Sequence, residues 1–265
     1  VVVLAGKRAL VCGSTQGIGR ACAMELARLG ARVTLLARDK KALEKTAAEA
    51  AAVSPAGPAA GHGFLVADFG RPDEVAGAVR GDLERSGPVA ILVNNTGGPP
   101  PGPIVDAGPD AFRAAFDAHL VCNQILAQLL VPGMKRLNYG RIINIISTSV
   151  KQPIPGLGVS NTIRGAVASW SKTLAAELAP HGITVNNILP GFTDTGRLRS
   201  LIATKAREAG VSEAEVERQM VASVPMGRFG TPEELAAVAG FLASPASAYL
   251  TGVSLPVDGG RTSCL

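Results

Sequence analysis

Cys12-Gly13-Ser14-Thr15-Gln16-Gly17-Ile18-Gly19 stands between an apolar run, Ala9-Leu10-Val11-Cys12, and a segment from Arg20 to Leu29 whose apolar residues recur at helical spacing before Gly30. The pattern predicts a buried strand, a glycine turn and a helix, in that order. Gly13 lets the chain turn sharply off the strand, and Gly17 removes a side chain where an anion would approach backbone. Gly19 would let the helix pack closely on the sheet. The free N–H groups and positive dipole end of such a helix then face the anion. The spacing is G-x-x-x-G-x-G, and glycines at a strand-to-helix turn also have a purely steric reading.

The same alternation runs through the rest of the chain. Arg32 to Ala37 reads as a second strand, and Asp39 to Ala52 as a helix capped by Asp39. Further strands are expected at Phe64–Ala67, Ala90–Val93, Arg141–Ile146, Ile183–Ile188 and Val253–Val257. Helices are expected at Pro72–Ser86, from the end of the proline-rich loop 98–109 to about Met134, at Asn161–Leu178 and at Pro232–Ala243. Two amphipathic pieces between Arg197 and Val224 read as an inserted lid, at about 197–224, in one domain that spans residues 1–265. Apolar, β-branched strands separated by helices imply an α/β fold: a parallel sheet of about seven strands, covered on both faces. Ligands of such sheets bind beyond the carboxyl ends of the strands.

Composition narrows the function classes. The 265 residues are 47% hydrophobic, enough for a large core, with a formal charge of +5 and a pI of about 9.2. The basic residues form no block, and aromatics are only 4%, which argues against nucleic acid. Cys12, Cys22, Cys122 and Cys264 lack C-x-x-C spacing, and the first three, in apolar patterns, are expected to be buried inert thiols in a reducing compartment, with no metal site. The opening Val1 to Arg8 is too short for a signal peptide, and Asp117, His119, Asn123 and Gln124 interrupt the apolar stretch 114–134. No membrane span and a cytoplasmic location are expected.

In these motifs the chain resembles the short-chain dehydrogenase/reductase family from about Lys7 to Gly260. Cys12 to Gly19 resembles the family's T-G-x-x-x-G-x-G loop, with Cys12 in place of threonine. Asn94-Asn95-Thr96-Gly97 resembles its N-N-A-G turn, Ser147 aligns with its catalytic serine, and Pro190 to Thr195 resembles the turn that borders the nicotinamide. Leu250-Thr251-Gly252 and Val257 to Gly260 resemble its closing signature. The resemblance implies a Rossmann-like doubly wound fold, a nicotinamide cofactor and a small-molecule carbonyl or alcohol substrate. Cofactor contacts are then expected from Gly13, Ser14, Thr15, Gln16, Gly17, Ile18, Gly19, Asp68, Phe69, Asn95, Thr96, Gly97, Pro190, Gly191, Thr193 and Thr195. A homo-oligomer, dimer or tetramer, is implied by the same likeness, as is a general similarity to 3-oxoacyl-thioester reductases.

Charge at the end of the second strand argues for the choice of coenzyme. An acidic residue there would hold a ribose 2′-hydroxyl, but the chain has Ala37 followed by Arg38. Arginine suits a phosphate, so NADP(H) is preferred and NAD(H) remains possible. The alternative is that Arg38 is a solvated charge and Asp39 swings onto the ribose.

The pattern breaks at the catalytic centre. Where the family has Tyr-x-x-x-Lys, this chain has Ser160-Asn161-Thr162-Ile163-Arg164, and the family's helix asparagine aligns with His119. A serine hydroxyl can hydrogen-bond a substrate oxygen but is a far weaker acid than tyrosine, and arginine keeps its proton. The expectation is that Ser147 and Ser160 orient the carbonyl and Arg164 holds the ribose, while His119 or Lys151 supplies the proton through water. The other reading makes His119 a hydrogen-bonded helix residue and Lys151 a solvated loop residue. A nucleotide-binding sensor or scaffold without redox turnover is the alternative function.

Overall fold

Aliphatic runs of four to eight residues form seven strands in a computed structural model that describes residues 3–264: β1 (Arg8–Cys12), β2 (Arg32–Ala37), β3 (Gly63–Val66), β4 (Ile91–Asn94), β5 (Gly140–Ile145), β6 (Ile183–Pro190) and β7 (Ser254–Val257). All pair in parallel, in the order β3-β2-β1-β4-β5-β6-β7. Val11 lies opposite Leu35 on one side and Val93 on the other, so β1 is the strand from which the chain winds both ways. A crevice opens at that reversal, beyond the carboxyl ends of β1 and β4.

Side chains alternate across the sheet and fill two cores. Ala9, Val11, Val33, Leu35, Ile91 and Val93 pack on one face against α1 (Gly17–Arg28), α2 (Lys40–Val53) and α9 (Pro232–Ala243). Leu10, Cys12, Leu36, Leu92 and Ile142 pack on the other against α3 (Pro72–Ser86), α5 (Cys122–Leu137) and α6 (Gly158–Leu178). The expected doubly covered parallel sheet is therefore the observed one, with strand boundaries displaced by a residue or two. The segment expected to be a lid forms α7 (Gly196–Ala209) and α8 (Glu213–Ala222), which share a small core of their own with Phe192 and Phe229.

The helix expected to run unbroken to about Met134 is interrupted. It starts as α4 (Pro109–Phe116), passes through a π turn at Asp117–Val121 and continues as α5. Such insertions are not encoded by apolar periodicity, and they recur at functional sites. By length and composition Pro109–Leu137 would suffice to cross a membrane, but Cys122, Leu126, Leu130 and Met134 are wholly buried in the sheet's second core. Part of the opening segment read as too short for a signal peptide, Val1 and Val2, lies outside the described residues, as does Leu265.

Candidate functional site

The glycine turn is shaped by what surrounds it. Gly13 has φ +58°, and a Cβ there would stand 2.5 Å from the Asn95 carbonyl oxygen. Its N–H donates to Leu36 O at 2.8 Å, and Asn95 Nδ2 donates back to Gly13 O at 3.2 Å. A Cβ on Gly19 would lie 2.1 Å from Gly13 O, so this glycine serves the turn's closure on the first turn of α1 rather than contact with the sheet. Gln16, at the N-cap of α1, makes no side-chain cap and the first turn holds no acid. The leading N–H groups of α1 are thus left to solvent or to an anion.

Beyond this turn lies a cleft of about 710 Å³. Of the expected cofactor residues, Gly13, Thr15, Gln16, Gly17, Ile18 and Arg38 line it from the β1 and β2 ends. Asp68, Phe69, Asn95, Thr96, Gly97 and Thr195 line the rest. The others stand behind the wall. Ser14 is fully buried and its hydroxyl accepts from Leu36 N–H at 3.1 Å. Gly191 abuts Asp258, whose Cα would lie 2.6 Å from a Cβ at that position. Buried Thr193 donates to Gly191 O at 3.3 Å; it, Pro190 and Gly19 set the turns and do not face the cavity.

The β2 end is settled in geometry. The Asp39 carboxylate accepts from Ala42 N–H at 3.0 Å as the cap of α2, and the residue lines the cleft beside Arg38. Arg38 is largely exposed, and its guanidinium reaches Asp68 only at 3.9 Å.

The residues expected to be catalytic divide into three groups. Ser147 ends the loop after β5, with its hydroxyl accepting from Ser149 N–H at 3.0 Å; its own proton has no acceptor among the described residues. Ser160 and Arg164 lie one helical turn apart on α6 and share a face. Arg164 donates to Ile145 O at 2.7 Å. Burial, then the charge of Arg197, lowers its pKa to about 10. The π turn buries His119, whose Nδ1 meets the Thr96 hydroxyl. Burial, followed by the charges of Arg164 and Arg197, lowers its pKa to about 3, against a hydrogen bond with the Gly97 backbone. The ring is therefore neutral and cannot act as the stored acid expected from an ordinary pKa. Lys151 is exposed and does not line the cleft.

Two features were beyond the motif reading. Arg197, at the start of α7, crosses to the β4 loop and donates to Gly98 O at 2.9 Å and Pro99 O at 3.3 Å. Beneath the site, Asn144 donates to Ser171 and Asn187 at 3.0 Å each, and Asn94 donates to Asn144 at 2.8 Å. These four tie β4, β5, β6 and α6 together. Asparagines inside apolar strands were the available signal, because buried polar groups need partners.

Three of the four cysteines, Cys12, Cys22 and Cys122, are buried, and burial pushes Cys22 and Cys122 up to about 12 and Cys12 further. They are poor nucleophiles.

This geometry has close counterparts. A family model described as enoyl-(acyl carrier protein) reductase matches residues 13–262. The NADPH-dependent reductase BacG of Bacillus subtilis is 30% identical over 254 residues, spanning 96% of this chain and 97% of that protein. The 3-oxoacyl-(acyl-carrier-protein) reductase FabG of Pseudomonas aeruginosa is 36% identical over 261 residues, spanning 97% and 98%. The crystal structure of L-sorbose reductase from Gluconobacter frateurii, complexed with NADPH and L-sorbose, superposes with a TM-score of 0.91 at 30% identity and covers 100% of this chain and 99% of that one.

Proposed function

The chain belongs to the short-chain dehydrogenase/reductase family, and on that premise we propose that it is an NADP(H)-dependent oxidoreductase that interconverts a small-molecule carbonyl and its alcohol. The observation that carries this reading is the cleft over α1, where Gly13 and Gly17 adopt positive φ and the leading N–H groups lack a side-chain cap. That cradle fits a diphosphate. The capped Asp39 and loosely held Arg38 favour a 2′-phosphate over a bare ribose. NAD(H) binds more weakly on this account.

When bound, the nicotinamide supplies hydride to a carbonyl or takes it from an alcohol. The chain's own groups position and polarise the reacting oxygen. Ser147 and Ser160 donate hydrogen bonds to it, and the Arg164 charge stabilises negative charge developing there while its remaining N–H groups hold ribose hydroxyls. His119 passes a proton as a neutral ring, accepting at one nitrogen as the other donates, or else Lys151 supplies it through water from outside the cleft. Unchanged turnover in both His119→Ala and Lys151→Ala would contradict this relay. The α7–α8 segment acts as a lid, and the protein works in the cytoplasm as a homotetramer.

One observation favours a second reading. None of Ser147, Ser160, His119 and Arg164 titrates near neutrality, since the ring sits at about 3 and the guanidinium at about 10. A coenzyme-binding sensor or scaffold would tolerate that. Titration with NADPH, followed by absorbance at the nicotinamide band across carbonyls and alcohols, separates the two. Binding with turnover supports the oxidoreductase, and binding without any absorbance change supports the sensor.

A further inference from the structure

Arg197 lines the cleft, and a second guanidinium, that of Arg164, lies behind its wall. Arg164 comes from α6 and Arg197 from the first turn of α7, close enough that the charge of Arg197 is felt at Arg164 and that of both at His119. Neither forms an ion pair among the described residues, and their printed hydrogen bonds go to carbonyl oxygens of Ile145, Gly98 and Pro99. Arg199, two residues along the same helix, is the contrast: it grips Asp194 and Glu217 at 2.8 Å each. Gly98 makes the arrangement possible, because a Cβ there would stand 2.6 Å from Arg197 Nη2.

Bringing like charges together in a partly desolvated corner is unfavourable unless an anion completes it. A guanidinium has five N–H donors, and the printed partners of Arg197 are only the carbonyl oxygens of Gly98 and Pro99.

Resting on the oxidoreductase reading above, we propose that Arg197, assisted by Arg164, binds a carboxylate of the substrate, so that the enzyme acts on oxo acids and the matching hydroxy acids. Ser160 and Arg164 stand one turn apart, with Cβ atoms about 5–6 Å from each other. An anion at the arginines and a carbonyl held by the serines then belong to one small substrate, as in 2-oxo and 3-oxo acids. The corner also accounts for a loop–lid connection that carries no catalytic group: Arg197 ties α7 to the β4 loop over the place where the substrate would sit.

The test uses the NADPH-loaded protein with pyruvate, phenylpyruvate and acetoacetate, each paired with its methyl ester, read by NADPH oxidation and by thermal shift. The acids are expected to be preferred over the esters by about tenfold or more, as one charge-assisted contact provides. Arg197→Gln is expected to erase that preference while the NADPH dissociation constant stays within about threefold, which also shows that the variant folds. Absence of an acid-over-ester preference in both readouts overturns the inference. So does an Arg197→Gln variant whose NADPH affinity falls as much as its acid preference, since that result assigns the guanidinium to the coenzyme's diphosphate. If the wild-type chain bound no coenzyme at all, the oxidoreductase reading would fall first, and the two failures are thereby distinguished.

Discussion

Acidification from about pH 7.5 to about pH 5 isolates the most perturbed histidine of the site. His119 is 3% exposed, and burial together with Arg164 and Arg197 takes its pKa from 6.5 to about 3. In the unfolded chain the ring returns to its ordinary value and binds a proton. Because the folded value is the lower one, stability is complete above about pH 6.5 and is lost progressively as pH falls toward 3. At pH 5 the unfolded chain is about 1.5 pH units into its titration while the folded ring remains neutral, so about 2 kcal/mol is lost to this residue. Urea unfolding at the two pH values, followed by the fluorescence of the single tryptophan, Trp170, measures the change. His119→Asn keeps a hydrogen-bonding side chain for Thr96 but cannot titrate. The wild type should lose about 2 kcal/mol more than the variant over the same interval. The subtraction removes His62, whose pKa is also lowered by burial. Equal losses in the two proteins would refute the argument that this ring is held neutral by its surroundings.

Other outcomes follow from the same geometry. Gly19→Ala places a methyl 2.1 Å from Gly13 O and should destabilise the fold by about 1–3 kcal/mol, seen as a lower melting temperature; an unaltered melt would count against the tight turn. Arg38→Leu should weaken NADPH binding by about tenfold or more and change NADH binding little, measured by fluorescence titration, and a parallel loss for both coenzymes would remove the phosphate assignment. Ser147→Ala should lower kcat about a hundredfold at unchanged coenzyme affinity, as expected for a donor to the reacting oxygen. Light scattering should return a multiple of the 27.0 kDa chain mass, and the mass of a single chain would exclude the proposed homo-oligomer.

Much of this was legible in the residues because strands and helices have different periods. The first strand and its glycine turn could be read from Ala9 to Gly19, and helices α3 and α9 began and ended where Pro72, Gly87 and Pro232 required. Asp39 was recognisable as a helix cap, and its bond to Ala42 bears that out. The candidate site was harder because its decisive features join distant segments. The π turn that buries His119 leaves no mark on apolar spacing, and the histidine's low basicity comes from Arg164 and Arg197, which lie 45 and 78 positions away in the chain. In the sequence Arg197 marks only the start of the expected lid. Its reach to Gly98 depends on how α7 lies against the β4 loop, a relation between elements that no local pattern carries.

The central claim is that a dinucleotide's diphosphate lies on the uncapped start of α1. Isothermal calorimetry of the folded wild-type chain against NADPH, with NADH in parallel, tests it most directly. The account predicts one saturable site per chain for NADPH and a weaker one for NADH. No heat from either coenzyme would contradict it and leave the glycine turn with a steric role alone.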